Sequence, residues 1–311
     1  MESDKEKSPR AYYLAPLEGI TGHLYRNALH KYFGDGISKY FTPFFQPHKK
    51  RIPSSRETKD ILPENNEGIP LVPQILTTDA ADFLRFEKDM AAYGYGEINL
   101  NLGCPSGTVA PKGRGAGFLL HKPELDAFLS EVFLHTNAKV SVKTRIGMNS
   151  PEEFFEILEI YNRYPISELI IHPRIRTEMY TGKVHLDIFR YAEREAKMPL
   201  CYNGDVWTPA DVPELSENVT AVMCGRGMIG NPSLIRELSG GAPASKEEIR
   251  LFMEELLETY LAEFSGEQPV LHKMKEIWAL MERYHPGREK EFKKIYKAKN
   301  LADYRAAINR I

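Results

Sequence analysis

The sequence is poor in cysteine. Only Cys104, Cys201 and Cys224 occur among 311 residues, and no two of them share CxxC spacing. That excludes a disulfide framework and a structural zinc site, and makes a reducing compartment the natural setting. The chain also lacks a charge excess, with 41 Lys/Arg against 43 Asp/Glu. A uniformly basic nucleic-acid coat is therefore excluded, although local patches are not. No apolar run approaches the ~18 residues of a membrane span. The opening MESDKEKSPR has no apolar core of the kind a signal peptide needs. Short repeats and low-complexity tracts are absent. The expectation is a cytoplasmic protein with no membrane segment and no metal.

What is present is enough for a large core. Hydrophobic residues make up 42% and charged residues 27%, a globular balance. Eight short β-rich runs recur: 12–15, 36–41, 71–76, 97–101, 140–145, 169–172, 200–203 and 221–224. Several are almost continuously apolar, as strands buried on both faces are. Helical patterns lie between them. Residues 79–93 space Phe83, Phe86 and Met90 by three and four, and 151–161 align Phe154, Ile157, Leu158 and Tyr161 on one face. This alternation predicts an α/β fold, a (β/α)8 TIM barrel, with an open doubly wound sheet as the alternative.

The pattern changes near Ser239. GGAPASKEE reads as a linker into a helix, with Ser245 as cap and Glu248 three residues on. Only helical periodicity follows. The expected organisation is a polar tail over 1–10, a barrel over 11–238 and a small helical domain over 239–311. Residues 271–311 hold eleven Lys/Arg against five Asp/Glu. Such a surplus suits a polyanionic partner, or a solvated helical face.

Barrel chemistry sits where strands end. Polar residues recur there: Glu18 after Pro16 and Leu17, Gln74, Asn101, Lys143 with Arg145, His172 with Arg174 and Arg176, then Asn203, Gly204 and Asp205, and finally Gly225 and Arg226. One of them alone reads as a satisfied structural group, whereas a ring of them is hard to explain by packing. Lys143 lies in an otherwise apolar strand, so it must be paired or face a cavity. The glycine turns at 204 and 225–227 fall after the last two strands, the usual phosphate position in such barrels. Cys104, between Gly103 and Pro105, sits in a polar loop and can serve as acid, nucleophile or redox thiol. Cys201 and Cys224 read as small buried hydrophobes.

Together these segments resemble the tRNA-dihydrouridine synthase family. The resemblance is carried by Asn99–Pro105 with GRGAGFLL (113–120), VKTRIG (142–147), HPRIRTEMYTG (172–182), YNGDV (202–206) and CGRGMIGNP (224–232). It implies an FMN barrel followed by a helical tRNA-binding domain, with NADPH as reductant. By the same resemblance, Cys104 is the proton donor to uracil C5 while hydride reaches C6. Pro16, Leu17, Glu18, Gln74, Lys143, His172, Asn203, Gly204, Asp205, Gly225 and Arg226 are implied to hold the flavin, with Asn101, Arg174 and Arg176 facing the substrate. The sequence departs from the family pattern at Leu17, at Gly22 and at Pro173, which replaces a glycine beside His172. None of these removes a reacting group. A dihydroorotate dehydrogenase-like enzyme would share the NGD and GRG turns but not Cys104 with the His-x-Arg-x-Arg segment. The cluster from His48 to Arg56 is a loop candidate for holding the RNA backbone alongside the basic helices. A plain RNA-binding protein would use the basic helices but leave Cys104 and the polar ring unexplained. The expected form is a monomer, although no motif encodes the oligomeric state.

Overall fold

The computed structural model describes residues 10–47 and 55–308. The polar tail up to Pro9 and the side chains of the His48–Arg56 cluster lie outside the described residues. Among the described residues, nine strands form one sheet: β1 (Ala11–Leu14), β2 (Ile37–Phe41), β3 (Leu71–Val72), β4 (Gln74–Ile75), β5 (Glu97–Leu102), β6 (Lys139–Gly147), β7 (Glu168–Ile175), β8 (Leu200–Tyr202) and β9 (Val219–Cys224). The helices, in chain order, begin with α1 (His23–Phe33), α2 (Ser55–Ile61), α3 (Ala80–Ala92), α4 (Lys122–His135), α5 (Glu153–Tyr161) and α6 (Leu186–Glu195). They continue with α7 (Arg226–Gly230), α8 (Leu234–Leu238), α9 (Lys246–Glu263), α10 (Glu267–Met281), α11 (Glu289–Lys297) and α12 (Leu301–Ile308).

The strand order is β3-β2-β1-β9-β8-β7-β6-β5-β4. β3 and β4 are consecutive pieces of one expected strand, interrupted at Pro73. Leu71 and Val72 pair with β2, while Gln74 and Ile75 pair with β5. The two open ends of the sheet therefore meet at a proline, and nine segments make the eightfold barrel that the alternation predicts. Proline lacks the N–H that a continuous ladder needs, yet its carbonyl still accepts from Asn99 N–H at 2.9 Å.

Local signals explain the element ends. Asp79 caps α3, its carboxylate accepting from Ala81 and Asp82 N–H at 2.9 and 3.3 Å. Ser245 and Glu248 form the reciprocal capping box of α9, at 3.2 and 2.7 Å. α5 begins at Glu153 rather than at Pro151, because the Glu153 carboxylate folds back to accept N–H groups of Met148, Asn149 and Ser150 at 2.7, 3.0 and 3.1 Å. The turn before the helix is thereby fixed, and Pro151 belongs to it.

The chain forms two compact units. The first comprises the chain through Pro16, Ser38–Gly204 and Pro213–Met223, and holds nearly all of the sheet with α2 to α6. β7 is buried at every position, as a strand covered on both faces must be. At the N-terminal end of the strands Lys39 pairs with Glu97 at 2.9 Å and Glu168 at 3.5 Å. Tyr13 donates to Glu168 at 2.9 Å. These contacts close that end of the barrel with paired polar groups.

The second unit comprises Leu17–Ile37, Asp205–Val212 and the chain from Cys224 onward. Here Phe252 of α9 meets the rings of Tyr25 and Phe33 of α1 edge-on, at 5.9 and 5.5 Å. Trp278 of α10 packs on Phe292 of α11 at 5.8 Å and donates to the Tyr304 hydroxyl of α12 at 2.8 Å. Among the described residues no helix is long and apolar enough to cross a membrane.

Candidate active site

In the first unit the polar groups converge at the C-terminal ends of the strands. Alternation along β5 and β6 sends Asn99, Asn101, Ser141, Lys143 and Arg145 to one face, while Ile98, Leu100, Val140 and Val142 fill the other. The register sets Asn101 opposite Lys143 and Arg145 opposite His172. Asn101 donates to Gln74 Oε1 at 2.8 Å. Its own Oδ1 accepts the backbone N–H groups of Gly103 and Cys104 at 3.0 and 2.9 Å. Asn101 thus pins the loop that carries the cysteine. Gly115 supports the same loop from behind. Its φ is +55°, and a Cβ there would stand 2.9 Å from the Cys104 carbonyl oxygen, so only glycine fits. Cys104 is half-buried and outside any disulfide, while Cys201 and Cys224 are buried. Burial alone pushes the Cys224 thiol up to about 12, which makes it inert.

Lys143 makes no hydrogen bond and no ion pair with any described residue. The residue is half-buried. Burial, reinforced by Arg145, lowers its pKa to about 8. A buried salt bridge, the plainer reading of a lysine in this strand, is not what the structure holds.

Three arginines brace the surrounding loops. Arg145 is almost wholly buried at 1% exposure. It donates to the carbonyls of Gly103, Ile175 and Met179 at 3.1, 2.9 and 2.6 Å. It also lies over the Tyr180 ring, 5.3 Å from its centroid. Arg174 donates to Thr181 and Gly182 carbonyls at 3.1 and 2.6 Å, and to His172 Nε2 at 3.2 Å. Arg176 donates to the Pro105 carbonyl at 3.1 Å, tying the loop after β7 to the loop of Cys104. Tyr180 stacks on His172 at 6.0 Å and stays 48% exposed. Met179 beside it holds φ at +53°, the only positive φ outside glycine among the described residues. Pro173 leaves His172 and Arg174 in contact, and its carbonyl accepts from His185 N–H at 2.8 Å. At the end of β8, Asn203 donates to the Met223 carbonyl at 2.8 Å. Gly204 follows, with the place of its missing Cβ occupied by the Tyr202 ring.

In the second unit Arg226 pairs with Asp205 at 2.8 Å and lies over Trp207, 5.4 Å from its centroid. Arg283 covers the same indole at 4.3 Å. Gly227 lets α7 come against the chain at Val206: a Cβ there would stand 1.9 Å from that residue's carbonyl oxygen. Leu17 closes a tight turn, its N–H donating to Thr21 Oγ1 at 2.8 Å, and Glu18 is exposed. Pro16 ends the β1 segment of the first unit. Among the described residues no group of three His, Cys, Asp or Glu side chains could hold a metal ion.

The donor set of the first unit is amides, an imidazole and an ammonium without a counter-ion. It suits a planar, carbonyl-rich ligand that takes on negative charge. A family model for dihydrouridine synthase (Dus) matches residues 13–309. The chain belongs to the dihydrouridine synthase family. Among curated relatives, it is 28% identical over 295 residues to the tRNA-dihydrouridine(16) synthase of Pseudomonas putida, covering 90% of this chain and 85% of that one. It is 29% identical to a probable tRNA-dihydrouridine synthase of Staphylococcus aureus, covering 72% and 70%. Among solved structures, a morphinone reductase variant in complex with tetrahydroNAD matches with TM-score 0.51 at 11% identity, over 76% of this chain and 88% of that one. That likeness is one of fold.

Sequence reasoning singled out Cys104, Lys143, Gln74 and Asn101, which the fold brings to neighbouring strands, but it missed the brace formed by Arg145. The signal was present: Arg145 shares β6 and its inward face with Lys143, and a second buried charge needs partners as much as the first. Tyr180 left no such signal, because an aromatic in a polar loop reads as ordinary surface.

Proposed function

We propose that the protein is a tRNA-dihydrouridine synthase, which reduces the C5–C6 bond of particular uridines with FMN as cofactor and NADPH as reductant. The residues present suit the flavin. Lys143 would meet the polar edge of its ring, with His172 and Asn203 beside it; Gln74, fully buried and bonded to Asn99 and Asn101, would support that edge rather than touch it. Pro16 would line it, and Gly204 would stand on its phosphate side. Bound FMN would supply the hydride that adds at C6. Lys143 stabilises negative charge at the ring edge. Asn101, Arg174 and Arg176 orient the uracil. The Cys104 thiol gives its proton to C5, and the thiolate is then reprotonated from solvent. A thiol is suited to this, since its ordinary pKa of ~8.5 leaves it largely protonated at neutral pH. The target base has to leave its stack to reach the pocket. The helical segment 239–311 supplies basic contacts to the tRNA backbone. A reducing cytoplasm, where tRNA and free thiols coexist, is the compartment for this reaction.

The observation that carries the reading is the conjunction of a half-buried lysine lacking a counter-ion with a cysteine loop held by the neighbouring Asn101. The test separates the two half-reactions. Cys104→Ala should keep FMN and be reduced by NADPH near the wild-type rate. Reoxidation by tRNA should slow by roughly 10²–10⁴, the usual worth of a positioned general acid. Flavin absorbance in stopped flow reads both steps. Wild-type protein that neither carries nor takes up FMN would overturn the proposal. Position 16, named in the Pseudomonas putida relative, is the first uridine to examine in tRNA from a strain lacking this protein.

A further inference from the structure

A single chain of hydrogen bonds crosses the barrel interior from its closed end to the cysteine loop. At the closed end Glu97 accepts from Ser141 Oγ at 2.8 Å. Ser141 Oγ accepts from Asn99 Nδ2 at 2.9 Å, and Asn99 Oδ1 accepts from Gln74 Nε2 at 2.7 Å. Gln74 Oε1 accepts from Asn101 Nδ2 at 2.8 Å, and Asn101 Oδ1 accepts from the N–H groups of Gly103 and Cys104. Gln74, Asn99 and Ser141 have no exposure at all.

The direction of this chain is not arbitrary. An amide can be turned over, exchanging its oxygen for its NH2 group, at little steric cost. Here both ends forbid it. The Glu97 carboxylate, itself held by Lys39, can only accept. The two backbone N–H groups at the other end can only donate. Every link between them must therefore donate toward Glu97. Turning any one amide would set donor against donor on one side and acceptor against acceptor on the other. Bonds aligned head to tail in a low-dielectric interior also polarise one another.

We infer that Ser141 and Asn99, with Glu97 as their anchor, are positioning residues for the cysteine loop. They fix which way the Gln74 and Asn101 amides face, and so keep Asn101 Oδ1 on the loop that presents the Cys104 thiol. None of the three is at the mouth of the barrel. Their importance for turnover rests on the role proposed above for Cys104, but their effect on the loop does not.

The test reads the loop directly. Holoprotein is treated with iodoacetamide at fixed pH, and alkylation of Cys104 is followed by mass spectrometry. Ser141→Ala removes the link to the carboxylate. Glu97→Gln keeps the shape but replaces an obligate acceptor with an amide that can donate, so the anchor no longer sets the direction. Each should speed Cys104 alkylation about fivefold, the equivalent of one net hydrogen bond. Ser141→Thr retains a hydroxyl and should restore the wild-type rate. Tyr13→Phe is the control. It removes a bond to Glu168 in the same polar cluster but lies outside the chain, so it should lower stability without changing Cys104 alkylation. Wild-type alkylation in both Ser141→Ala and Glu97→Gln would overturn the inference, as would an equal increase in Tyr13→Phe. If Cys104→Ala is reoxidised by tRNA normally, the catalytic reading fails while the alkylation result still decides this one.

Discussion

The barrel unit and the helices from α9 onward place charge in opposite ways. In the barrel unit the buried set includes Gln74, Asn99, Asn101, Ser141, Arg145, His172, Arg174 and Asn203. From α9 to α12 every described buried side chain is aliphatic or aromatic, and the charges pair at the surface, as Arg250 does with Glu247 and Glu254. An apolar core stabilises a fold without specifying orientation, whereas buried polar groups are costly unless each is satisfied, and so fix one arrangement. The barrel unit has accepted that cost where a cofactor and a thiol must be oriented. The helices from α9 onward have not. Changes at buried polar residues of the first unit should therefore be severe and selective, while changes on the outer faces of those helices should be mild or act on RNA binding alone.

The sharpest form of the contrast is Arg145. Truncating it to alanine leaves three carbonyls in the loops after β5 and β7 without their donor. Losing several charge-assisted bonds in a buried site costs about 3–5 kcal/mol. Both loops should loosen, and displacement of a reacting group by about 1 Å costs on the order of 10²-fold in rate. Arg145→Ala is expected to lower the thermal midpoint clearly and to slow reoxidation by tRNA at least 10²-fold. Arg145→Lys should recover little, since an ammonium cannot reproduce the fork that reaches Gly103, Ile175 and Met179 at once. Thermal melts alongside stopped-flow flavin absorbance check both parts. A stable, active alanine variant would break the comparison.

Lys143 gives a pH-dependent version. Its pKa in the protein, about 8, lies below the ordinary lysine value of 10.5. Between those values the folded protein holds fewer protons than the unfolded chain, so this group favours folding as pH rises. Ligand binding runs the other way, because a flavin edge prefers the ammonium. Affinity of apoprotein for FMN should be flat below pH 8 and fall above it, approaching tenfold per pH unit for a contact made only by the charged form. Lys143→Met should bind FMN weakly at every pH without that slope. Fluorescence titrations of FMN from pH 7 to 10 decide it, and an unchanged slope in Lys143→Met would assign the effect to another group.

What could be read from the sequence follows the same division. Phe83, Phe86 and Met90 announce α3 by spacing alone, and Ser245 with Glu248 announces the start of α9, because these are short-range patterns of residue type. Lys143 is legible for a related reason, a cation within an apolar run. Arg145 is harder: its partners are backbone carbonyls 30 to 42 residues away, and a carbonyl has no residue-type signature. The break at Pro73 is of the same kind, since the proline is visible but not that the ends of the sheet meet there. The direction of the Glu97–Cys104 chain belongs wholly to the fold.

On α11 the contrast predicts separation of functions. Phe292 and Ile295 face inward, whereas Lys293, Lys294 and Lys297 are exposed. Changing the three lysines together to glutamate should leave flavin content and thermal midpoint near wild type. Affinity for tRNA should fall roughly 10- to 100-fold and lose part of its salt dependence, as expected when phosphate contacts are removed. Filter-binding titrations at several salt concentrations measure both. Unchanged affinity would show that RNA is held on another face.

The smallest effect is expected at Arg250. It bonds Glu247 and Glu254 at 2.7 and 2.8 Å, one turn away in either direction on α9. The geometry looks strong, and the neighbouring carboxylates raise the guanidinium pKa. Yet all three side chains are exposed, so water screens the attraction and dissolved salt screens it further. Ordering three long side chains also opposes the pairing. Arg250→Ala should therefore move the urea midpoint no further than repeat measurements differ, leave flavin content alone and leave turnover unchanged. The same substitution compared in low and high salt sharpens the point: any loss should be confined to low salt. A salt-insensitive loss at Arg250 approaching that at Arg145 would mean that these helices, too, depend on oriented charge, and the distinction between them and the barrel unit would fall.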